Sequence, residues 1–280
     1  MTVTEASAPV SEAEVVRWAA GIEVFPGAPL CPGVADAGGG RPVLAEVPGP
    51  RFDARVRDGS VTAHHLRHLG QAMAALHSAK PPGEGTVIAE SLPWEPLPLR
   101  VWAGLSDAQR HLIGTLHGDE TLRNQGRSVR NGLAMGKVWC HGDARTNNIV
   151  VADDTPMLID WECSGLGSPE TDLGSLCGSL IFDCLNTMSA PTGADARTEL
   201  RASLGRATGY VRVVLAAYRD HSHLRLDSSL LGRAVGSGLL CRALMRASQT
   251  RLDRVVSTLA SLGRGLLLDS ARWRAIDARN

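Results

Sequence analysis

His141-Gly142-Asp143-Ala144-Arg145-Thr146-Asn147-Asn148 decides the reading of this sequence, together with Ile159-Asp160-Trp161-Glu162 a short distance downstream. Lys137–Cys140 has the character of a strand running into a turn. Residues 148–151 and 157–161 read as short apolar strands separated by the turn 152–156. This pattern puts one carboxylate, Asp143, on a turn and a second, Asp160, at a strand end. A turn carboxylate is suited to accept a proton from a hydroxyl. The Asn148 amide and the Asp160 carboxylate supply the oxygen ligands that a hard cation such as Mg²⁺ prefers. Phosphoryl transfer needs those parts, a group to orient the nucleophile and ligands for a metal that neutralises phosphate charge. The competing reading is a plain hairpin flanked by unrelated turn acids. The ordered match of HGDxxxxN and a later apolar-Asp-Trp stretch weighs against it.

Working outward, Val61–Ser78 is an amphipathic helix with Leu66, Leu69, Met73 and Leu76 at helical spacing. A short helix lies upstream, where Val15, Val16, Trp18 and Ala19 mark one face; Ser11 and Glu14 have capping-box spacing. The Pro/Gly-rich stretch 25–40 reads as loop with at most one strand, and Arg41–Gly49 as a short buried strand. Residues 80–100 hold five of the fifteen prolines, which predicts an extended, irregular segment. One helix is expected from Asp107 to about Gln125. From Thr171 onward the pattern is helical, with long apolar stripes over 199–219, 229–248 and 251–271 and breaks near 189–193 and 221–227. The sum is an α+β chain with a small strand-bearing front and a large helical back.

With 44% hydrophobic and 21% charged residues, the 280-residue chain is of globular type and long enough for a sizeable core. No apolar run is long enough to span a membrane, and the polar start, MTVTEASAPV, lacks signal-peptide character. The six cysteines form no CxxC pair, which suits reduced thiols; a cytoplasmic location is the expectation. Neither a nucleic-acid nor a membrane partner is expected. The zero net charge hides an asymmetry: residues 201–280 carry 14 Arg against 5 Asp, a net of +9, balanced by −9 before them. That basic end is either a set of solvated helix faces or a surface for an anionic or peptide partner. His64 and His68 stand at i, i+4 without an evident third metal ligand, and His221-Ser-His223 reads as a solvated turn. Trp94, Trp102 and Trp273 read as packing residues rather than stacking platforms.

The HGDxxxxN and apolar-Asp-Trp-Glu elements resemble the catalytic segment of the aminoglycoside phosphotransferase and choline-kinase-like superfamily. That resemblance implies a protein-kinase-like fold with a reduced N-terminal lobe and a large, mostly helical C-terminal lobe. It assigns Asp143 as catalytic base, Asn148 and Asp160 as magnesium ligands, and His141 as the residue packed under the catalytic loop. Gly167–Leu173 is similar to the family's GDPxxDL element, so Asp172 is the aspartate that braces the loop; Ser168 replaces the usual Asp. Leu69–Ser78, ending in Leu-His, is similar to the family's helix after the hinge. Arg145 stands where the kinase fold often places a lysine on the transferred phosphate.

The departure is at the front. Residues 1–50 resemble only a remnant of the nucleotide lobe, a helix C-like helix and a hinge strand, with 51–280 forming the C-lobe. There is no GxGxxG, no lysine precedes Lys80, and Glu12 or Glu14 has no lysine to pair with. The implied cofactors are Mg²⁺ and ATP, the nucleotide bound weakly without help. The expected reaction moves the γ-phosphate to a hydroxyl of a small molecule, or of Ser/Thr in a natural-product precursor peptide. A partner protein on the basic C-terminal helices is an accompanying expectation. The alternative is a catalytically silent scaffold that binds a peptide or protein.

Overall fold

Ser11 caps the first helix as its spacing indicates. Its hydroxyl accepts from the Glu14 backbone N–H, while the Glu14 carboxylate accepts from Ser11 N–H at 2.8 Å, closing a capping box on α1 (Glu12–Ala20). Glu14 is thereby committed to its own helix. The computed structural model describes residues 10–36, 42–88, 92, 94–188, 194–249 and 252–277. After α1 come two antiparallel hairpins, β1 (Glu23–Phe25) with β2 (Ala28–Pro29) and β3 (Val34–Asp36) with β4 (Pro42–Leu44). The stretch expected to hold at most one strand thus contributes three short ones. The part of the expected turn at 37–41 lies outside the described residues.

A short helix, α2 (Phe52–Asp58), precedes α3 (Ala63–Ser78), and the sequence pattern did not mark it. Val87 and Leu166 form a parallel bridge, so the proline-rich segment runs extended beside the C-terminal part as expected. A single turn, α4 (Leu99–Ala103), is followed by α5 (Asp107–Gly118) and α6 (Glu120–Ala134). The one helix expected over 107–125 is therefore two. Asp119 breaks it, its extended backbone and its carboxylate capping the N–H of Leu122 at 3.0 Å.

The motif region forms two small sheets. β5 (Val138–Cys140) pairs with β8 (Gly165–Gly167), and β6 (Ile149–Ala152) with β7 (Thr155–Leu158). Asp153 and Asp154 both have positive φ, 47° and 63°, which suits a two-residue hairpin turn. The rest is helical: α7 (Pro169–Asn186), α8 (Ala194–His221), α9 (Ser228–Ala247), α10 (Arg254–Leu268) and α11 (Ala271–Asp277). α7 is the central element, with Leu173, Leu176 and Leu180 all buried and its neighbours α8 and α9 packed on it. Burying each such leucine stabilises by roughly 1.5–3 kcal/mol. One apolar cluster joins Val15, Val16 and Leu30 at the front to Phe52, Leu69, Leu176 and Trp273. No helix among the described residues is long and apolar enough to cross a membrane.

Trp94 and Trp273 are core residues, as read. His221 is not simply solvated: its Nδ1 meets the Ala217 carbonyl oxygen at 2.9 Å and its Nε2 meets Gln71 at 3.1 Å. Buried His68 lies edge-on to Phe25, with the Pro156 backbone beside it but outside hydrogen-bonding geometry. Burial, helped by His64 and His65, pushes its pKa down to about 4. A histidine depressed this way adds stability that is complete above about 6.5 and lost as pH falls toward 4. Burial pushes the Asp183 carboxyl up to about 6, which acts in the opposite direction between about 4 and 6. His68→Phe should therefore keep or raise stability at pH 7.5 and flatten its decline from pH 6.5 to 4 by up to about 3 kcal/mol. Urea denaturation across that range checks this, and an unchanged slope would refute it.

Candidate active site

The loop that carries Asp143 is held by a single buried carboxylate. Asp172, in the first turn of α7, accepts the backbone N–H of His141 at 2.8 Å and of Gly142 at 2.9 Å. Its second partner is His77, Nε2 to Oδ2 3.1 Å, whose other ring nitrogen meets Tyr218 Oη at 3.1 Å. Burial alone would raise the Asp172 carboxyl. The hydrogen bond and charge of His77, the charge of His141 and the His141 N–H together hold it below the ordinary carboxylate range. The structure places Asp172 directly behind the loop, on the N–H groups of His141 and Gly142. His77, the last of the Leu-His pair on α3, is the partner that sequence reasoning did not single out; its signal was that pair.

His141 is buried, with Nε2 2.9 Å from the Ile159 carbonyl oxygen and its ring 4.6 Å from Trp161. Burial lowers its pKa. It lies packed between the Ile159 main chain and Trp161. Gly142 has φ +80°, and a Cβ there would collide with the Cys163 backbone, so this position needs glycine twice over. The same close approach brings the Asp143 loop against the turn that follows Asp160. The Cys163 thiol records the convergence: its pKa is raised, first by burial and then by the charges of Asp143, Glu162 and Asp160.

Asn148 closes a single 3₁₀ turn, Thr146–Asn148, and its Nδ2 donates to the carbonyl oxygen and to Oδ2 of Asp143 at 3.0 and 2.9 Å. That leaves Oδ1 as the free donor atom of its amide. The Ile159 N–H donates to the Asn148 carbonyl oxygen at 3.0 Å, which sets Asp160 beside Asn148 across the hairpin. Asp160 is exposed and held in the left-handed region, φ 68°, a conformation aspartate tolerates better than most residues. An amide oxygen and an open carboxylate next to Asp143 make an all-oxygen donor set, and these residues fit Mg²⁺. His77, Cys140 and Asp172 also place ligand atoms within 4.8 Å of one another. There the carboxylate oxygens already serve two backbone N–H groups and a histidine, so the set is a structural brace.

Arg145 forms an ion pair with Asp143 through Nη2, while its Nε has no partner. Further network residues were missed: the Thr146 N–H donates to Ser179 Oγ at 3.2 Å, and the Thr146 hydroxyl donates to Asp183. Ser168, where the family pattern has Asp, donates its hydroxyl to Glu170, whose other oxygen accepts the Asp227 N–H at 2.7 Å. An acid at 168 would face Glu170 with like charge. Beside Asp143 opens a cavity of about 550 Å³, lined on its helical side by α7 and α9. Its wall includes Asp143, Arg145, Cys163, Ser237 and Arg242.

A helical C-lobe, an acid-bearing loop braced from a following helix, and a second acid beyond a hairpin define a kinase-like phosphotransferase. The phosphotransferase enzyme family model (APH) matches residues 5–221, and the chain belongs to that family. Among curated proteins none matches the chain in sequence. Among solved structures, a glucosamine kinase is similar at TM-score 0.53 and 16% identity, over 88% of this chain and 66% of that one. A choline/ethanolamine kinase family protein from Mesorhizobium loti covers 95% of this chain and 78% of its own, at TM-score 0.43 and 17% identity. A macrolide 2'-phosphotransferase from Brachybacterium faecium gives TM-score 0.43 and 16% identity, over 91% and 78% of the two chains. The fold is protein-kinase-like, with small sheets and a dominant helical part.

Asp172→Asn replaces an acceptor of two N–H groups by a group whose amide end opposes them. It should cost about 2–4 kcal/mol in urea unfolding and speed amide exchange at His141 and Gly142 well above that at Leu176. Unaltered exchange in the loop would contradict the bracing role.

Proposed function

We propose that the chain is an ATP- and Mg²⁺-dependent phosphotransferase that moves the γ-phosphate to an alcohol. The observation that carries this is the Asp172-braced loop, which presents Asp143 at the wall of the cavity with the Asp160 turn packed beside it. Asp143 orients the acceptor hydroxyl and takes its proton as the oxygen–phosphorus bond forms and the bond to the ADP leaving group breaks. Asn148 Oδ1 and Asp160 would hold Mg²⁺, which neutralises phosphate charge when bound. Arg145, now paired with Asp143, can exchange that carboxylate for the incoming phosphate. His141 positions the loop from below.

The acceptor is a hydroxyl of an antibiotic-like molecule or metabolite, or of Ser/Thr in a precursor peptide. The matched family and the intact acids favour chemistry over a silent scaffold. A partner protein completing the site fits the exposed Arg201, Arg225 and Arg274. Several other arginines of the basic end are already used within the chain: Arg219 with Asp277, Arg246 with Asp253, and Arg264 with Asp119.

Asp143→Ala should reduce phosphoryl transfer about a thousandfold with little change in unfolding midpoint. Retention of activity within about tenfold of the parent would remove Asp143 as the base. Asp160→Asn keeps a residue that accepts the left-handed backbone, so stability should hold while Mg²⁺-dependent nucleotide affinity drops. Equal ATP affinity by calorimetry would sink that metal role. Each charge-assisted phosphate contact contributes roughly 1.5–3 kcal/mol. Without a glycine loop or clamping lysine, the isolated chain should bind ATP about a hundredfold or more weaker than a fully equipped site. Micromolar binding with no partner or acceptor present would show that its front lobe suffices.

A further inference from the structure

The cavity wall contains a buried charge that forms no ion pair among the described residues. Arg242 on α9 is only 7% exposed, yet it belongs to none of the ion pairs among the described residues. Its guanidinium donates to two main-chain carbonyl oxygens, Gly238 at 3.1 Å and Ser175 at 2.9 Å. Those bonds orient the group without neutralising it. The guanidinium sits in a notch between α7 and α9: a Cβ at Gly178 or Gly238 would lie 3.4 or 3.3 Å from Nη1. Burial pulls the Arg242 pKa down to about 10; Arg145 adds to the fall, while Cys241, Asp183 and Asp143 oppose it from a distance without pairing with the group. It remains charged at neutral pH.

Two hydroxyls of the same cavity wall are also unspent. Ser237 is 3% exposed and its Oγ has no hydrogen-bond partner, and Thr171 Oγ1 is buried and equally unpartnered. Both residues line the cavity with Arg242. Buried hydroxyls and a buried cation cost stability unless something meets them. The other charges of the wall do not: Asp143 is taken by Arg145, and Glu162 is exposed at the rim.

Resting on the reading of this cavity as the acceptor pocket, we propose that Arg242, Ser237 and Thr171 receive an anionic oxygen group of the acceptor. The acceptor is then a hydroxy compound that carries a carboxylate or phosphate, with its hydroxyl toward Asp143. A fork of N–H donors, with hydroxyls in the same cavity wall, matches the planar or tetrahedral oxygens of such a group. A polycationic acceptor would instead place positive charge against an unpaired guanidinium.

The test uses small probes on the full chain: D-glycerate, glycerol 3-phosphate, glycerol and choline, at matched ionic strength. Binding is read by calorimetry and by the Nε signal of Arg242, neither of which requires turnover. Glycerate or glycerol 3-phosphate should bind at least about tenfold tighter than glycerol and shift the Arg242 signal. The glycerate-to-glycerol 3-phosphate ratio then decides between carboxylate and phosphate. Ser237→Ala, which removes only an unpartnered hydroxyl, should fold normally and lose about threefold in anion affinity. Arg242→Lys should lose about tenfold or more. The proposal is overturned if glycerol or choline binds as well as the anions, or if no anion binds below about 10 mM. It is equally overturned if both variants bind anions as the parent does, or if the Arg242→Lys loss falls on Mg²⁺–ATP instead. Anion binding without ATP turnover would leave this site standing and remove the phosphotransferase reading; turnover of neutral acceptors only would do the reverse.

Discussion

A carboxylate with no exposed surface, Asp172, accepts the two backbone N–H groups that enter the His-Gly-Asp turn, and the placement of that turn depends on the contact. Taking a charge out of water is costly, and the cost is met here by His77, two N–H groups and a nearby histidine. The geometry links three distant parts of the chain. α3 supplies His77, α7 supplies Asp172, and the turn after β5 supplies the loop. Tyr218 of α8 closes the chain of hydrogen bonds behind His77. The His-Gly-Asp turn is thereby attached to the helical core rather than only to the small sheets beside it.

The front of the chain is built on a different principle. α1 and the two hairpins have few residues, and they gain their stability by sharing the main apolar cluster with the helices behind. Leu158 N–H donates to the Leu30 carbonyl oxygen, and Val151 N–H to that of Pro50, so the front is also stitched to the β6–β7 hairpin. That hairpin carries Asn148 at one end and leads into Asp160 at the other. The front thus anchors the hairpin on which Asn148 and Asp160 stand.

Charge in the site follows the same division. Acids gather where Asp143, Asp160 and Glu162 surround Cys163, which suits a divalent cation and phosphates. On the helical side the unpaired charge is a cation, Arg242, fixed by helix carbonyls. The basic character of the last eighty residues therefore has a local meaning at one position that net charge could not identify, because several other arginines there, Arg206, Arg212, Arg219, Arg246 and Arg264, serve contacts between elements.

The sequence alone carried the α+β class, the family and the Ser11 cap, and it singled out His141, Asp143, Asn148, Asp160 and Asp172, which the fold brings into one region. These are legible because each is a short-range demand: a turn needs glycine at φ +80°, a cap needs a hydroxyl three residues from an acid, a metal needs oxygens. It misjudged the helix over 107–125, where a single Asp119 cap outweighed a continuous pattern, and the front strands, which exist only by pairing. His77, Thr146 with Asp183, and Arg242 were not visible as site residues. Their partners lie far away in sequence, 95 residues for His77–Asp172 and 67 for Arg242–Ser175. Whether a buried charge is spent or free depends on what the packed helices bring within about 3 Å of it. That distance is set by tertiary packing, which no local pattern encodes.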